Sequence, residues 1–184
     1  MTFAGRGAIF LDRDGVLNEM VWRDGALASP RRAAEFCLAA GAADAVRRLR
    51  AAGLPVFVAT NQPDIARGTL SRDEHERMLA LLRTAVQLDD VAVCPHDDAD
   101  GCACRKPKPG LLEDLAVRHG VVLARSVMVG DSGKDVEAGR RAGCRTILIR
   151  REYNHGVDAD TVVDTLNSAV DEILRTQRGE ADVV

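Results

Sequence analysis

Short apolar runs and amphipathic segments alternate along the chain. The apolar runs lack helical periodicity and end at polar or turn-forming residues, which is typical of buried strands. They predict strands over residues 8–11, 55–60, 91–94, 127–130 and 145–150. Amphipathic segments at helical spacing separate these runs. We therefore predict an α/β fold with a doubly wound, mostly parallel, Rossmann-like sheet.

Capping signals and helical spacing locate the predicted helices. A capping box that starts at Ser71 opens one of them. Its buried face is expected to contain Met78, Leu81, Leu82 and Ala85. Apolar residues at helical spacing, including Val162 and Val163, predict the last helix over residues 161–174. The other helices are expected over residues 41–52, 109–119 and 135–142.

The composition is that of an ordinary globular chain of 184 residues, 46% hydrophobic and 29% charged. This length suits a single domain, and residues 175–184 are expected to form a flexible tail. A net charge of −3 and an aromatic content of 3% argue against nucleic-acid binding. No apolar run reaches membrane length and residues 1–7 lack a signal-peptide core, so we expect a cytoplasmic protein without a membrane partner. We also expect a monomer.

Polar side chains that could act on a phosphate follow three of the predicted strands. Asp12 and Asp14 follow the first strand, Thr60 ends the second, and Asp131 follows the fourth. Because parallel strands bring their carboxyl ends to one edge of the sheet, we expect these groups to lie together. Lys106 supplies a compact positive charge for a phosphoryl group. Each motif alone could be a turn, a helix cap or a solvated loop, but the combination favours an active site.

A second cluster combines three thiols and one imidazole. It consists of Cys94, His96, Cys102 and Cys104. Four ligands of these types are typical of a closed, tetrahedral, structural Zn²⁺ site, and a cysteine-rich loop without metal is the alternative. The zinc would rigidify the loop that presents Arg105 and Lys106. We expect the two remaining cysteines, Cys37 and Cys144, to be buried and inert.

The chain resembles the haloacid dehalogenase-like (HAD-like) phosphohydrolase superfamily. The four motifs of that superfamily are matched in order by Leu11-Asp12-Arg13-Asp14-Gly15, Thr60-Asn61, Lys106, and Gly130-Asp131 with Asp135. The resemblance covers nearly the whole chain and implies a HAD-type fold. It implies that Asp12 is the nucleophile, forming an aspartyl-phosphate, and that Asp14 is the general acid and base. Thr60 and Lys106 would stabilise the phosphoryl group.

The same resemblance implies a Mg²⁺ cofactor. Asp12, the backbone carbonyl of Asp14 and the carboxylate of Asp131 would hold the ion, and hard oxygen ligands suit this metal. Asp135 would support the metal site or Lys106 and would not act directly. The divalent cation is needed because a phosphate monoester is anionic and repels a carboxylate nucleophile.

The zinc cluster followed by Arg105, Lys106 and Pro107 resembles one branch of the superfamily, which contains heptose-bisphosphate 7-phosphatases and histidinol phosphatases. Residues 60–68 and 106–112 favour the heptose group. The resemblance implies removal of the C7 phosphate of D-glycero-D-manno-heptose 1,7-bisphosphate, with histidinol phosphate or another small sugar phosphate as the alternative substrate. The heptose group usually has a lysine where this chain has Ser132, and Lys134 could replace it.

The chain between residues 15 and 55 has room only for a flap and one helix, so we expect no separate cap domain. Substrate recognition would then involve Trp22, Arg23, Asn61, Gln62 and Arg105. A non-catalytic zinc-stabilised module and a phosphotransferase are the alternative classes. The intact set of catalytic residues argues against the first, and the absence of a cap that excludes water argues against the second.

Overall fold

The computed structural model describes residues 3–181, and within them the chain forms eight strands and five α-helices. The strands are β1 Ile9–Leu11, β2 Val21–Arg23, β3 Ala26–Ala28, β4 Val56–Asn61, β5 Asp90–Cys94, β6 Val127–Gly130, β7 Arg145–Ile149 and β8 Thr161–Val163. The helices are α1 Ala42–Ala51, α2 Arg72–Ala85, α3 Gly110–His119, α4 Gly133–Arg141 and α5 Leu166–Ala181. Six strands form a parallel sheet in the order β5-β4-β1-β6-β7-β8, which confirms the predicted fold.

The central strands are apolar at successive positions because helices cover both faces of the sheet. Phe10 on β1 packs against Phe57 on β4, with ring centroids 5.6 Å apart, in the core on the α3 side. Ile9 and Leu11 belong to the opposite core, which includes residues of α1 and α5. The two-residue period of a strand therefore divides one apolar run between two cores.

Strand register brings the predicted site residues to one edge of the sheet. Leu11, the last residue of β1, lies opposite Val58 of β4 and Val129 of β6. Asp12 therefore leaves the sheet between the carboxyl ends of its two neighbouring strands. Gly15 turns the chain just beyond, with a φ of 81° that glycine adopts without a steric penalty.

The prediction for the final helix is wrong over its first residues. Thr161–Val163 form the edge strand β8, which pairs in parallel with β7, and α5 begins at Leu166. Three β-branched residues beside an open sheet edge favour a strand over a helical turn. The helix then continues to Ala181, past the point where we predict the flexible tail to begin, and residues 182–184 lie outside the described residues.

Two predictions of side-chain burial are also wrong. The buried face of α2 consists of His75, Met78, Leu79 and Leu82. These positions are three and four residues apart, and they leave Leu81 and Ala85 exposed. Cys37 is exposed as well, whereas Cys144 is buried as expected.

The edge of the sheet that carries Asp12 is covered only by small elements. The β2–β3 hairpin and one 3₁₀ turn connect β1 to α1, and across residues 3–181 no separate cap domain is present. None of the helices in this range is long and apolar enough to span a membrane.

Candidate active site

Three carboxylates and one ammonium group converge at the carboxyl ends of β1 and β6. Asp12, Asp131 and Asp135 each offer an oxygen within 4.8 Å of the others. The Nζ atom of Lys106 lies 2.8 Å from Asp12 Oδ1 and 2.6 Å from Asp135 Oδ1. It also donates a 2.7 Å hydrogen bond to the carbonyl of Ala59, and the side chain is 2% exposed. The sequence-predicted residues of three motifs thus meet in one buried cluster.

This cluster carries more negative charge than its lysine can neutralise. Burial and the neighbouring Asp135 carboxylate raise the pKa of Asp12 to about 8, against the opposing charge of Lys106. The same two causes raise the pKa of Asp131 to about 6. A divalent cation would relieve this repulsion, and carboxylate oxygens are ligands that Mg²⁺ prefers. The donor set therefore fits a magnesium ion.

Asp14 lies in a closed cage of hydrogen bonds. Arg13 donates from Nε and Nη2 at 2.9–3.0 Å, and Asn18 and Gln62 donate from their amides at 2.9 and 2.8 Å. Burial raises the pKa of Asp14, but the charge of Arg13 and these amide donors outweigh it, so the net pKa lies below the ordinary value. The cage therefore holds Asp14 as a carboxylate.

The residues at the end of β4 hold other residues of the site in place through hydrogen bonds. Gln62, which we predict as a substrate contact, is 1% exposed, and its Nε2 donates to both Asp14 and Thr60 Oγ1. Its amide is occupied within the protein, and Gln62 does not line the cavity. Asn61 lines the cavity and brackets the backbone of Lys106, with both of its hydrogen bonds to that residue at 3.0 Å.

An open cavity of about 300 Å³ lies above the carboxylate cluster. Arg105 lines it and contacts Asp98 through Nε at 2.6 Å and Nη2 at 3.2 Å. Ser132 and Lys134 line the same cavity. Ser132 caps α4 and donates from Oγ to Asp135 Oδ2 at 2.6 Å, so it cannot supply the charge that a lysine would. Cations from two segments therefore face the cavity beyond the cluster.

The flap contributes less than the sequence suggests. Trp22 is 74% exposed and lines a separate apolar recess with Met20, Leu27 and Tyr153. Arg23 donates to the carbonyl of Ser29 and pairs with Glu35 at 2.7 Å. The structure therefore places neither predicted flap residue in the cavity at Asp12, because β2 directs one outward and an ion pair holds the other.

The four predicted zinc ligands come together at the end of β5. Their ligand atoms lie within 4.8 Å of one another, with closest pairs at 3.2–3.6 Å. Two ligands bonded at about 2.3 Å to one tetrahedral ion would be separated by about 3.8 Å, so the cluster is close to the size that zinc requires. The chain passes directly from Cys104 into Arg105 and Lys106, which links this cluster to the cavity.

Sequence reasoning missed three residues that contact the predicted catalytic groups. Arg13 and Asn18 hold Asp14, and Tyr153 donates a hydrogen bond from its hydroxyl to Asp131 Oδ2. The position of Tyr153 after β7 was the available signal, because the carboxyl ends of parallel strands border one site. Arg13 lies between two predicted catalytic aspartates, but the spacing of these residues does not show that its side chain turns towards Asp14.

Position 15 requires glycine because the Asp131 carboxylate leaves no room for a Cβ atom, and also because the backbone φ is positive. A Cβ added there would lie 1.8 Å from Asp131 Oδ2. We expect Gly15→Ala to displace the Asp131 carboxylate and to lower kcat/KM by at least about 10²-fold, as a misplacement of about 1 Å can do. Gly25→Ala is the matched control, since Gly25 has the same φ of 81° and nothing within 4 Å of its added Cβ. Equal losses in the two variants, measured by phosphate release, would contradict this explanation.

The fold and the carboxylate–lysine cluster are those of the HAD-like phosphatases, and comparison with known proteins supports this classification. The HAD-hydrolase-like family model matches residues 103–174. The chain is 40% identical over 147 residues to the D-glycero-β-D-manno-heptose-1,7-bisphosphate 7-phosphatase of Bordetella bronchiseptica, covering 77% of this chain and 79% of that protein. It is 36% identical to the D-glycero-α-D-manno-heptose-1,7-bisphosphate 7-phosphatase of Mycobacterium tuberculosis, covering 86% of each.

A solved structure extends the similarity to three dimensions. The heptose 1,7-bisphosphate phosphatase of B. bronchiseptica, complexed with magnesium and phosphate, superposes with a TM-score of 0.79 at 32% identity. The match covers 92% of this chain and 99% of that one. The chain therefore belongs to the HAD-like phosphatase superfamily. Within it, the chain belongs to the family that contains the D-glycero-D-manno-heptose-1,7-bisphosphate 7-phosphatases, which confirms the resemblance drawn from the motifs.

Proposed function

We propose that this chain is a Mg²⁺-dependent phosphatase that removes the C7 phosphate of D-glycero-D-manno-heptose 1,7-bisphosphate. The observation that carries the proposal is the buried contact of Lys106 with Asp12 and Asp135, beside Asp131, at the floor of an open cavity. Relatives named for this activity match most of the chain. The cavity, at about 300 Å³, is at the small end of the range for ligand sites and suits a sugar phosphate.

Asp12, the Asp14 carbonyl and Asp131 would hold the magnesium ion. When bound, Mg²⁺ offsets the repulsion between an anionic phosphate ester and a carboxylate nucleophile. The described residues supply the remaining chemistry. Lys106 holds Asp12 in one orientation and offers positive charge to the phosphoryl oxygens, while Asp135 balances that lysine.

The reaction has two steps in which the phosphoryl group moves to Asp12 and then to water. In the first, an oxygen of Asp12 bonds to phosphorus, the bond from phosphorus to the sugar oxygen breaks, and that oxygen takes a proton from Asp14. In the second, water attacks phosphorus, Asp14 takes a proton from the water, and the bond from phosphorus to Asp12 breaks. Inorganic phosphate leaves and both carboxyl groups return to their starting forms.

The cage around Asp14 suits the second step directly, because a carboxylate is the form that accepts a proton. The first step needs a protonated Asp14. An arriving phosphate places a second negative charge near this carboxylate, and a like charge raises the pKa of a carboxyl group. Substrate binding would therefore oppose the effect of Arg13 and favour the donor form.

The distal phosphate of a bisphosphate would contact Arg105, and Lys134 lines the same cavity. Arg105→Ala should raise KM for heptose 1,7-bisphosphate by about 10–100-fold, the effect of losing a charged hydrogen-bonded contact, and change KM for the 7-monophosphate by no more than about twofold. Arg67→Ala is the control. Like Arg105, Arg67 pairs with a carboxylate of the loop over residues 94–104, in this case Asp97, but it does not line the cavity. A parallel rise for both substrates would show that Arg105 does not recognise the second phosphate.

A phosphate-release assay with purified protein tests the proposed function. Heptose 1,7-bisphosphate, histidinol phosphate and common hexose phosphates are compared by kcat/KM, with product NMR to identify the phosphate that is lost. The highest kcat/KM for the bisphosphate, with the anomeric phosphate retained, is expected. A higher value for histidinol phosphate would overturn the substrate assignment, and no turnover of any phosphomonoester with Mg²⁺ would overturn the phosphatase assignment.

The thiol–imidazole cluster is proposed to hold one structural Zn²⁺ ion. Lys108 Nζ donates to the carbonyls of Gly101 and Cys102 at 2.8 and 2.6 Å, so a second interaction joins this loop to the start of α3. The ion would fix the path of the chain from Cys104 to Lys106. We also propose a cytoplasmic location, because thiol ligands must stay reduced to bind zinc.

A further inference from the structure

The loop between β7 and β8 contacts the proposed magnesium site through Tyr153. The Tyr153 hydroxyl donates to Oδ2 of Asp131, and the ring borders both the cavity at Asp12 and the apolar recess beside it. The hydroxyl oxygen also lies 3.1 Å from the position of a Cβ added to Gly15. Tyr153 therefore stands at the meeting point of the β1 and β6 loops.

Two neighbours of Tyr153 hold this loop against the site. Asn154 is 5% exposed, and its Nδ2 donates to the carbonyls of Asp131 and Ile149, both at 2.8 Å. Its Oδ1 accepts a 2.9 Å hydrogen bond from the Arg151 amide. Arg151 Nη2 in turn donates to the Gly15 carbonyl at 2.8 Å. The turn that carries Tyr153 is thus hydrogen-bonded both to Gly15 after β1 and to Asp131 after β6.

The chemistry of the contact suits the support of a metal ligand. A carboxylate that binds a cation through one oxygen can accept a hydrogen bond on the other, which limits its rotation. A phenol does this without adding positive charge. A lysine or arginine in its place would neutralise Asp131 and compete with the metal for the carboxylate.

We propose that Tyr153 is a positioning residue for the magnesium ligand Asp131. The inference rests on the magnesium site proposed above, and it adds the loop of residues 150–157 to that site. The hydroxyl holds the Asp131 carboxylate in the orientation that the ion requires, and Asn154 and Arg151 hold the loop.

The test is Mg²⁺ binding to protein that keeps its zinc and has been dialysed free of Mg²⁺, measured by isothermal titration calorimetry with Mg²⁺ alone. Tyr153→Phe should raise the Kd for Mg²⁺ by about tenfold or more, as expected for loss of a hydrogen bond to a metal ligand. Its melting temperature should match that of the wild type, which separates weaker Mg²⁺ binding from a loss of fold. His155→Ala, an exposed neighbour in the same loop, is the control and should bind Mg²⁺ as the wild type does.

The outcomes separate this inference from the proposed function. Binding by Tyr153→Phe within about twofold of the wild type would overturn the positioning role and leave the magnesium site intact. A wild type that binds no Mg²⁺ would overturn the site itself. A comparable loss in His155→Ala would show that the whole loop is disturbed and would contradict a role specific to the Tyr153 hydroxyl.

Discussion

Asp12→Asn should remove phosphatase turnover, with kcat lower by at least about 10⁴-fold. The amide cannot form the acyl-phosphate bond, and the Asp135 carboxylate beside Lys106 is already bonded to that lysine and to Ser132. The fold should survive, because the substitution removes one of three neighbouring carboxylates and relieves their repulsion. Phosphate release measures turnover, and circular dichroism with thermal melting measures the fold.

Two further variants make this result decisive. Asp12→Ala, which cannot return to aspartate by deamidation, should be equally inactive. Asp73→Asn, which removes an exposed carboxylate in the first turn of α2, should retain wild-type kcat. Activity above about 10% of wild type in both Asp12 variants would refute the nucleophilic role. Normal melting temperatures are needed alongside, and the relieved repulsion predicts that Asp12→Asn without Mg²⁺ melts no lower than the wild type without Mg²⁺.

Cys104→Ser should produce the largest loss of stability of any single change considered. Removing one ligand from a structural zinc site releases the metal or binds it weakly, and such sites contribute directly to folding. We expect the free energy of unfolding to fall by more than about 4 kcal/mol, which in a chain of this size lowers the melting temperature by at least about 8 °C. Elemental analysis should find one zinc per chain in the wild type and less in the variant.

Activity of the same variant tests whether zinc organises the loop at the cavity. KM should rise, because Arg105 and Lys106 follow Cys104 directly, while the nucleophile remains in place. Cys37→Ser is the matched control, since this thiol is exposed and outside the cluster, and it should keep zinc, stability and activity. Zinc-free wild-type protein with full stability and full activity would exclude a structural zinc site.

Lys106 connects the two proposed metal sites. It contacts carboxylates of the magnesium site and lies two residues after Cys104 of the zinc site. Its backbone is bracketed by Asn61 and its ammonium group is shared between Asp12 and Asp135. Burial disfavours the charged ammonium, but the two carboxylates outweigh this effect and raise the pKa of Lys106 above its ordinary value. The lysine therefore stays charged in a buried site, which is the state needed to stabilise a phosphoryl group.

The amino-acid sequence alone was sufficient to predict five of the six strands of the parallel sheet, most of the helices, the residues at the strand ends and the clustering of three thiols with one imidazole. Each of these features depends on local rules. Apolar runs form strands, parallel strands share an edge for their carboxyl ends, and thiols spaced two residues apart can bind one metal. Asp12 and Asp131 met as predicted because one register, Leu11 opposite Val129, determines their proximity.

Only the tertiary structure decided which side chains pair. Gln62 contacts Asp14 across 48 positions of sequence, and Tyr153 contacts Asp131 across 22. These partners depend on loop paths and on competing acceptors, and spacing encodes neither. The same limit explains β8, since Val162 and Val163 suit a helix face or a strand equally well. They form a strand because folding places the unpaired edge of β7 beside them, and the backbone groups of β7 and β8 then bond to each other. A local sequence pattern does not reveal this pairing.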